Sequence, residues 1–190
     1  MNRRWALISG AKGTRKSETA TRLAELLGAR GLTVGGVIQQ STHESDDRVL
    51  YRARRLGEPP LVIPLARRGS PPEGARPEAA CTFCSFVFDR DAFTEAGGWI
   101  REAAAHADVV VIDEVSKLEV SRGGHHDAIA AALGERALVV LVVRADQLFA
   151  VVERFELEDA VATLELGDDA DVEGFADVVA AAARDEARPS

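Results

Sequence analysis

The chain has 190 residues, 46% hydrophobic and 28% charged, with 23 lysines and arginines against 31 aspartates and glutamates and a net charge of −8. A chain of this size fits one domain burying roughly 70% of its unfolded surface, and the composition excludes disordered and fibrous classes. A surface of that sign repels a phosphate backbone, so no nucleic-acid partner is expected, and any bound polyanion must be met locally by a few cations or backbone N–H groups.

The longest purely apolar run, residues 137–143, is about a third of the ~20 residues that a membrane helix needs, so no membrane partner is expected. Arg3 and Arg4 precede an apolar stretch too short for a secretion signal, and export is not predicted. Two cysteines, Cys81 and Cys84, fall far below the density of a disulfide scaffold, and a cytoplasmic location fits best.

In chain order, residues 5–8 (Trp-Ala-Leu-Ile) form a short buried strand that stops at Ser9-Gly10. Ala20, Leu23, Ala24 and Leu27 then recur at helical spacing, Gly31 closes that helix, and residues 33–39 predict a second strand despite Gly35 and Gly36. Two strand-like runs at 48–56 and 61–65, parted by Gly57-Glu58-Pro59-Pro60, predict a hairpin. Residues 67–77, with Pro71, Pro72 and Pro77, read as a disordered loop or flexible flap. A brief strand at 86–88 precedes a helix carrying Ala92, Ala96, Trp99, Ile100 and Ala103, with Asp91 as its candidate N-cap. The β-branched runs at 108–113 and 138–143 predict interior parallel strands, with helices at 125–133, 146–155 and 172–184 and an edge strand at 160–166.

The most informative segment is Gly10, Ala11, Lys12, Gly13, Thr14, Arg15, Lys16, Ser17, set between a buried strand and an amphipathic helix. The phosphate-loop pattern G-x-x-x-x-G-K-[ST] cradles phosphates in backbone N–H groups, with lysine on the β and γ phosphates and the hydroxyl on Mg²⁺. Gly10, Lys16 and Ser17 match, but Arg15 replaces the second glycine. Two outcomes are open. The side chain obstructs the loop, with strain of about 1–3 kcal/mol, or it turns outward and meets phosphate oxygens from the side. A basic turn that binds nothing is the plainer reading.

The apolar strand ending in Asp113-Glu114 resembles a Walker B strand. Its aspartate holds Mg²⁺, and its neighbouring glutamate activates a water. An adjacent Asp-Glu also predicts another strand between the loop strand and this one, with Arg144 at the end of the following strand as a candidate contact to the γ-phosphate or the water. An ordinary solvated arginine is the alternative. The expected fold is α/β: a three-layer P-loop NTPase fold over residues 1–190, mostly parallel, with an inserted hairpin and loop at about 41–84.

Asp113-Glu114-Val115-Ser116-Lys117-Leu118-Glu119 resembles the D-E-[IV]-G-K-M-E signature of the small nucleoside-triphosphatase family first characterised in thermophiles and including a human cancer-related NTPase. Ser116 replaces the signature's glycine. The segments Val37-Ile38-Gln39 and Ser121-Arg122-Gly123-Gly124 are also similar to a bacterial family linked to molybdenum uptake, whose NTPase motifs are often eroded. The first resemblance, over residues 5–152, implies slow hydrolysis of ATP, GTP and other nucleoside triphosphates to diphosphates. It also implies roles: Lys16 neutralises phosphate charge, Ser17 and Asp113 hold Mg²⁺, and Glu114 activates water. Glu119 matches without an assigned role.

Cys81-Thr82-Phe83-Cys84 supplies half of a zinc site at most, and His125 and His126 are adjacent and expected to point apart, so plain thiols are expected. His43 and His106 share no ligand spacing and read as surface or capping residues. Two other functions stay open: a degenerate nucleotide-binding or regulatory module without turnover, and a small-molecule kinase.

Overall fold

A computed structural model describes residues 4–43, 49–57 and 59–185. Part of the polar stretch expected at 41–47, Glu58 of the expected hairpin turn, and the side chain of His43 lie outside the described residues. Strand β1 (Trp5–Gly10) leads into α1 (Lys16–Ala29), β2 (Val34–His43), β3 (Val49–Leu56) and β4 (Val62–Arg68). A 3₁₀ turn at Pro77–Ala79 precedes β5 (Ala80–Phe83), β6 (Phe86–Asp89), α2 (Arg90–His106), β7 (Val109–Val115), α3 (Lys117–Val120) and α4 (His126–Ala132). Then follow β8 (Leu138–Arg144), a 3₁₀ turn at Ala145–Gln147, α5 (Leu148–Phe155), β9 (Ala162–Glu165) and α6 (Val172–Asp185).

All nine described strands join one sheet in the order β5-β6-β4-β3-β2-β7-β8-β1-β9. This corrects the mostly parallel expectation. Strands β2, β7, β8, β1 and β9 pair in parallel, but β3, β4, β6 and β5 continue the same sheet antiparallel. The cause is the length of β2, whose residues Val34 to Val37 pair with β7 while Gly36 to His43 pair with β3. The hairpin is therefore an extension of the sheet, and a second hairpin, β5–β6, extends it further. Because Cys81 and Thr82 pair with Phe88 and Val87, residues 80–83 are a strand where the sequence pattern predicts none.

Both faces of the sheet are covered, because successive residues of a strand point to opposite sides. Trp5 and Leu7 of β1 pack with Ala96, Ile100, Ile129 and Phe155 from α2, α4 and α5, whereas Ala6 and Ile8 pack with Leu23, Leu27 and Val179 from α1 and α6. Each fully buried leucine contributes roughly 1.5–3 kcal/mol relative to exposure. The glycines of β2 let its neighbours close in. A Cβ on Gly35 would meet Ala103 Cβ at 2.6 Å, and one on Gly36, at φ +117, would meet the Val111 carbonyl oxygen at 2.1 Å.

Helix α2 is capped two residues earlier than expected. The Asp89 carboxylate accepts from the N–H of Asp91 at 2.9 Å and of Ala92 at 3.5 Å, and Asp91 instead pairs with Arg76. No described helix is long and apolar enough to cross a membrane.

Candidate functional site

Strand β1 ends at Gly10, where a Cβ would meet Thr14 Oγ1 at 2.5 Å and Leu166 Cβ at 3.1 Å, so only glycine fits under the turn that follows. The turn folds on the Ala11 carbonyl, which accepts from Thr14 Oγ1 at 2.9 Å and from Lys16 Nζ at 2.9 Å. Lys16 is 5% exposed, and its ammonium closes back over the loop. No side chain caps the N-terminus of α1, which leaves its first-turn N–H groups without a side-chain partner beside this loop.

Arg15 stands at φ 58, ψ 32, the left-handed conformation that a glycine would adopt there freely. A residue with a Cβ bears about 1–2 kcal/mol in that region. The side chain is 79% exposed and leans out of the turn toward Glu18 at 3.9 Å. The backbone thus takes the shape a glycine would give here, while the Arg15 side chain stands in solvent.

Strand β7 delivers two carboxylates in different directions, because it is bulged between Ile112 and Val115 where it pairs with β8. Asp113, 3% exposed, turns inward and accepts from Gln39 N at 3.1 Å and Glu114 N at 2.9 Å. Burial pushes its carboxyl up to about 7, against the lowering effect of the Ser17 hydroxyl beside it. This contact ties the first turn of α1 to β7 across β8, the strand expected to lie between them. Glu114, at φ 58, turns instead into a cavity of about 170 Å³ that Gln39, Tyr51, Phe88, Glu119 and Arg144 also line.

Arg144 lies beside Gly10 in the β1–β8 register and lines the same cavity as Glu114. Its guanidinium grips Asp146 by two bonds, 2.9 and 2.5 Å, and that pairing lowers the Asp146 carboxyl to about 2. Glu119 is 4% exposed and closes the next turn: its Oε2 accepts from Ser116 N at 3.0 Å and its Oε1 from His125 N at 3.3 Å, while burial pushes its carboxyl up to about 7. The Ser-x-x-Glu spacing of a capping box was the signal that would have revealed this role. Tyr51 carried no sequence signal. It arrives from β3, and burial together with the Glu114 charge raises its phenol above the usual range.

The remaining candidates do not assemble. His125 packs on Phe93 and His126 stacks on Phe155, so the adjacent histidines do point apart. Cys81 and Cys84 are free thiols, and among the described residues no three histidine, cysteine or acidic side chains cluster as metal ligands. The Ser17 and Asp113 oxygens nonetheless suit a hard cation such as Mg²⁺, which binds through one or two protein oxygens and fills its remaining positions with water and phosphate.

Three comparisons bear on this geometry. A family model described as NTPase matches residues 6–170. Among curated relatives, the nucleoside-triphosphatase THEP1 of Thermofilum pendens is 28% identical over 167 residues, spanning 84% of this chain and 86% of that protein. The protein of the same name from Methanopyrus kandleri is 27% identical over 137 residues, spanning 72% and 71%. The solution structure of a human cancer-related nucleoside triphosphatase aligns over 98% of this chain and 100% of that one with a TM-score of 0.66, at 19% identity a likeness of fold.

Proposed function

The chain belongs to the NTPase family, and from that premise we propose that it binds a nucleoside triphosphate, ATP or GTP, in the turn at residues 10–17 and hydrolyses it to the diphosphate and phosphate. The observation that carries this reading is the placement of the Ser17 hydroxyl beside the Asp113 carboxylate, which brings the first turn of α1 to the strand bearing Glu114.

In this reading the loop is the P-loop of a P-loop NTPase fold, and the N–H groups of Gly10, Ala11, Lys12, Gly13, Thr14, Arg15, Lys16 and Ser17 surround the phosphates, with the helix dipole adding attraction. Lys16 leaves the Ala11 carbonyl for the β and γ oxygens. Ser17 and Asp113 hold Mg²⁺, which when bound neutralises phosphate charge. Glu114 orients a water and takes its proton as the water oxygen attacks the γ-phosphorus and the bond to the β-γ bridging oxygen breaks. Arg144 exchanges Asp146 for the developing phosphate charge.

Binding without turnover is the second reading, favoured by the grip of Asp146 on Arg144, which holds that cation away from phosphate. Phosphate release measured alongside nucleotide affinity separates the two. Release that depends on Glu114 supports hydrolysis, and tight binding with no release supports the second reading.

A further inference from the structure

A second cavity, about 300 Å³, lies between α2, α4 and the turn at residues 121–124. It shares Phe88, Phe93 and Leu118 with the Glu114 cavity, so the two are neighbours across one apolar wall. Its charge runs against that of the whole chain: Arg90, Arg101 and Arg122 line it with one carboxylate, Asp127. Arg90 is occupied by the carbonyls of Glu78 and Ala79. Arg101 and Arg122 meet no acceptor among the described residues.

The turn that presents Arg122 is built for it. Arg122 itself stands at φ 65, Gly123 would meet Leu118 Cδ1 at 2.8 Å if it carried a Cβ, and Gly124 would meet Glu119 Oε1 at 2.3 Å. Any larger residue there would force the turn off Leu118 and Glu119 and displace the arginine. On the facing helix, Gly97 leaves open the space above it, where a Cβ would lie 3.4 Å from Arg101 Nη1.

We propose that this cavity is a binding site for a second small molecule, a flat apolar or heteroaromatic body bearing a phosphate-type anion, separate from the triphosphate. The body lies on Phe88, Phe93 and Leu118, and the anion takes charge-assisted hydrogen bonds from the guanidinium groups of Arg101 and Arg122. Pockets of this size, mostly apolar with a few convergent polar groups, suit such ligands. Two guanidinium groups without partners among the described residues favour a dianion over a neutral ring. The assignment goes beyond nucleotide hydrolysis and is independent of turnover.

Cys81 lines the same cavity, and Cys84 is exposed, so Cys84→Ser leaves one thiol as a reporter of occupancy. Phenylphosphonate is the probe and N-ethylmaleimide, which is neutral, the alkylating reagent. At about ten times its dissociation constant, measured by ligand-observed NMR, phenylphosphonate should slow Cys81 alkylation roughly tenfold. Benzyl alcohol should not, and the Arg101→Gln, Arg122→Gln double variant should lose the protection and the NMR signal together. Lys16→Ala, which removes triphosphate binding in the preceding reading, should keep both. The proposal is overturned if phenylphosphonate gives no saturable signal, if protection survives loss of both arginines or vanishes in Lys16→Ala, or if ADP with Mg²⁺ protects Cys81 equally well, which would make the cavity the nucleotide's own base pocket.

Discussion

Two strand ends in this molecule carry a non-glycine residue at the same left-handed angle, Arg15 after β1 and Glu114 near the end of β7, both at φ 58. Around Arg15 only the backbone turns inward, and the side chain stands in solvent beside Glu18. At Glu114 the same twist, placed in a bulge, brings the carboxylate into a cavity with Tyr51 and Arg144. Similar strain thus shapes a cradle in one place and aims a side chain in the other. Changing the side chain should matter little at the first and greatly at the second.

The largest expected effect is at Glu114. Glu114→Gln keeps the size and the bulge but cannot take a proton, so steady-state phosphate release should fall about 10²–10⁴-fold while nucleotide affinity stays within a few-fold. Unchanged release would remove Glu114 from the chemistry. Lys16→Ala deletes the buried ammonium, and calorimetric titration should show affinity weakened at least ~100-fold, roughly 3 kcal/mol. Tight binding by that variant would remove the site from the loop.

Glu119 sharpens the contrast from the other side, as a buried carboxylate that holds a turn. Glu119→Gln turns an N–H donor toward one of the backbone N–H groups it now accepts from, at a cost of about 1–3 kcal/mol in denaturant unfolding. Burial raises its folded-state pKa to about 7 from an ordinary 4.5. Its protonated form is therefore favoured by folding, and the stability it contributes is complete below pH 4.5 and lost as pH rises through 7. The advantage of the native chain over Glu119→Gln should shrink across that window; a constant difference would mean the carboxyl is not buried as described.

The smallest effect belongs to Arg15→Gly. Relief of about 1–2 kcal/mol of left-handed strain is offset by roughly 0.5–1 kcal/mol of added backbone entropy in the unfolded chain. Stability should shift by less than about 1 kcal/mol in thermal unfolding, and nucleotide affinity by less than ~fivefold. A loss well beyond that would make Arg15 a phosphate ligand, and a large gain would make it an obstruction.

The parallel half of the fold was readable because β7 and β8 are continuous β-branched runs, β1 opens on a short apolar run, and the helices are periodic. The antiparallel half was less so. Residues 80–83 (Ala-Cys-Thr-Phe) have too little alternation to mark a strand, and its pairing with β6 is fixed by tertiary contact. Gly10, Lys16, Ser17, Asp113 and Glu114 could be proposed from motif spacing together with the family resemblance, since the proposed chemistry constrains residue type at fixed intervals. Spacing carries no dihedral, however, so it leaves the outward Arg15 as one of two open outcomes and gives no sign of the bulge at Glu114. Tyr51 and the Asp146 grip on Arg144 depend on a strand and a turn that meet the site only after folding.

The most direct test of the central claim is a crystal structure with a non-hydrolysable ATP analogue and Mg²⁺. The triphosphate should lie within the turn at residues 10–17, with Lys16 Nζ moved from the Ala11 carbonyl onto phosphate, the cation on Ser17 and Asp113, and Arg15 still outward. A nucleotide bound elsewhere, or an Arg15 guanidinium folded into an empty turn, would contradict it.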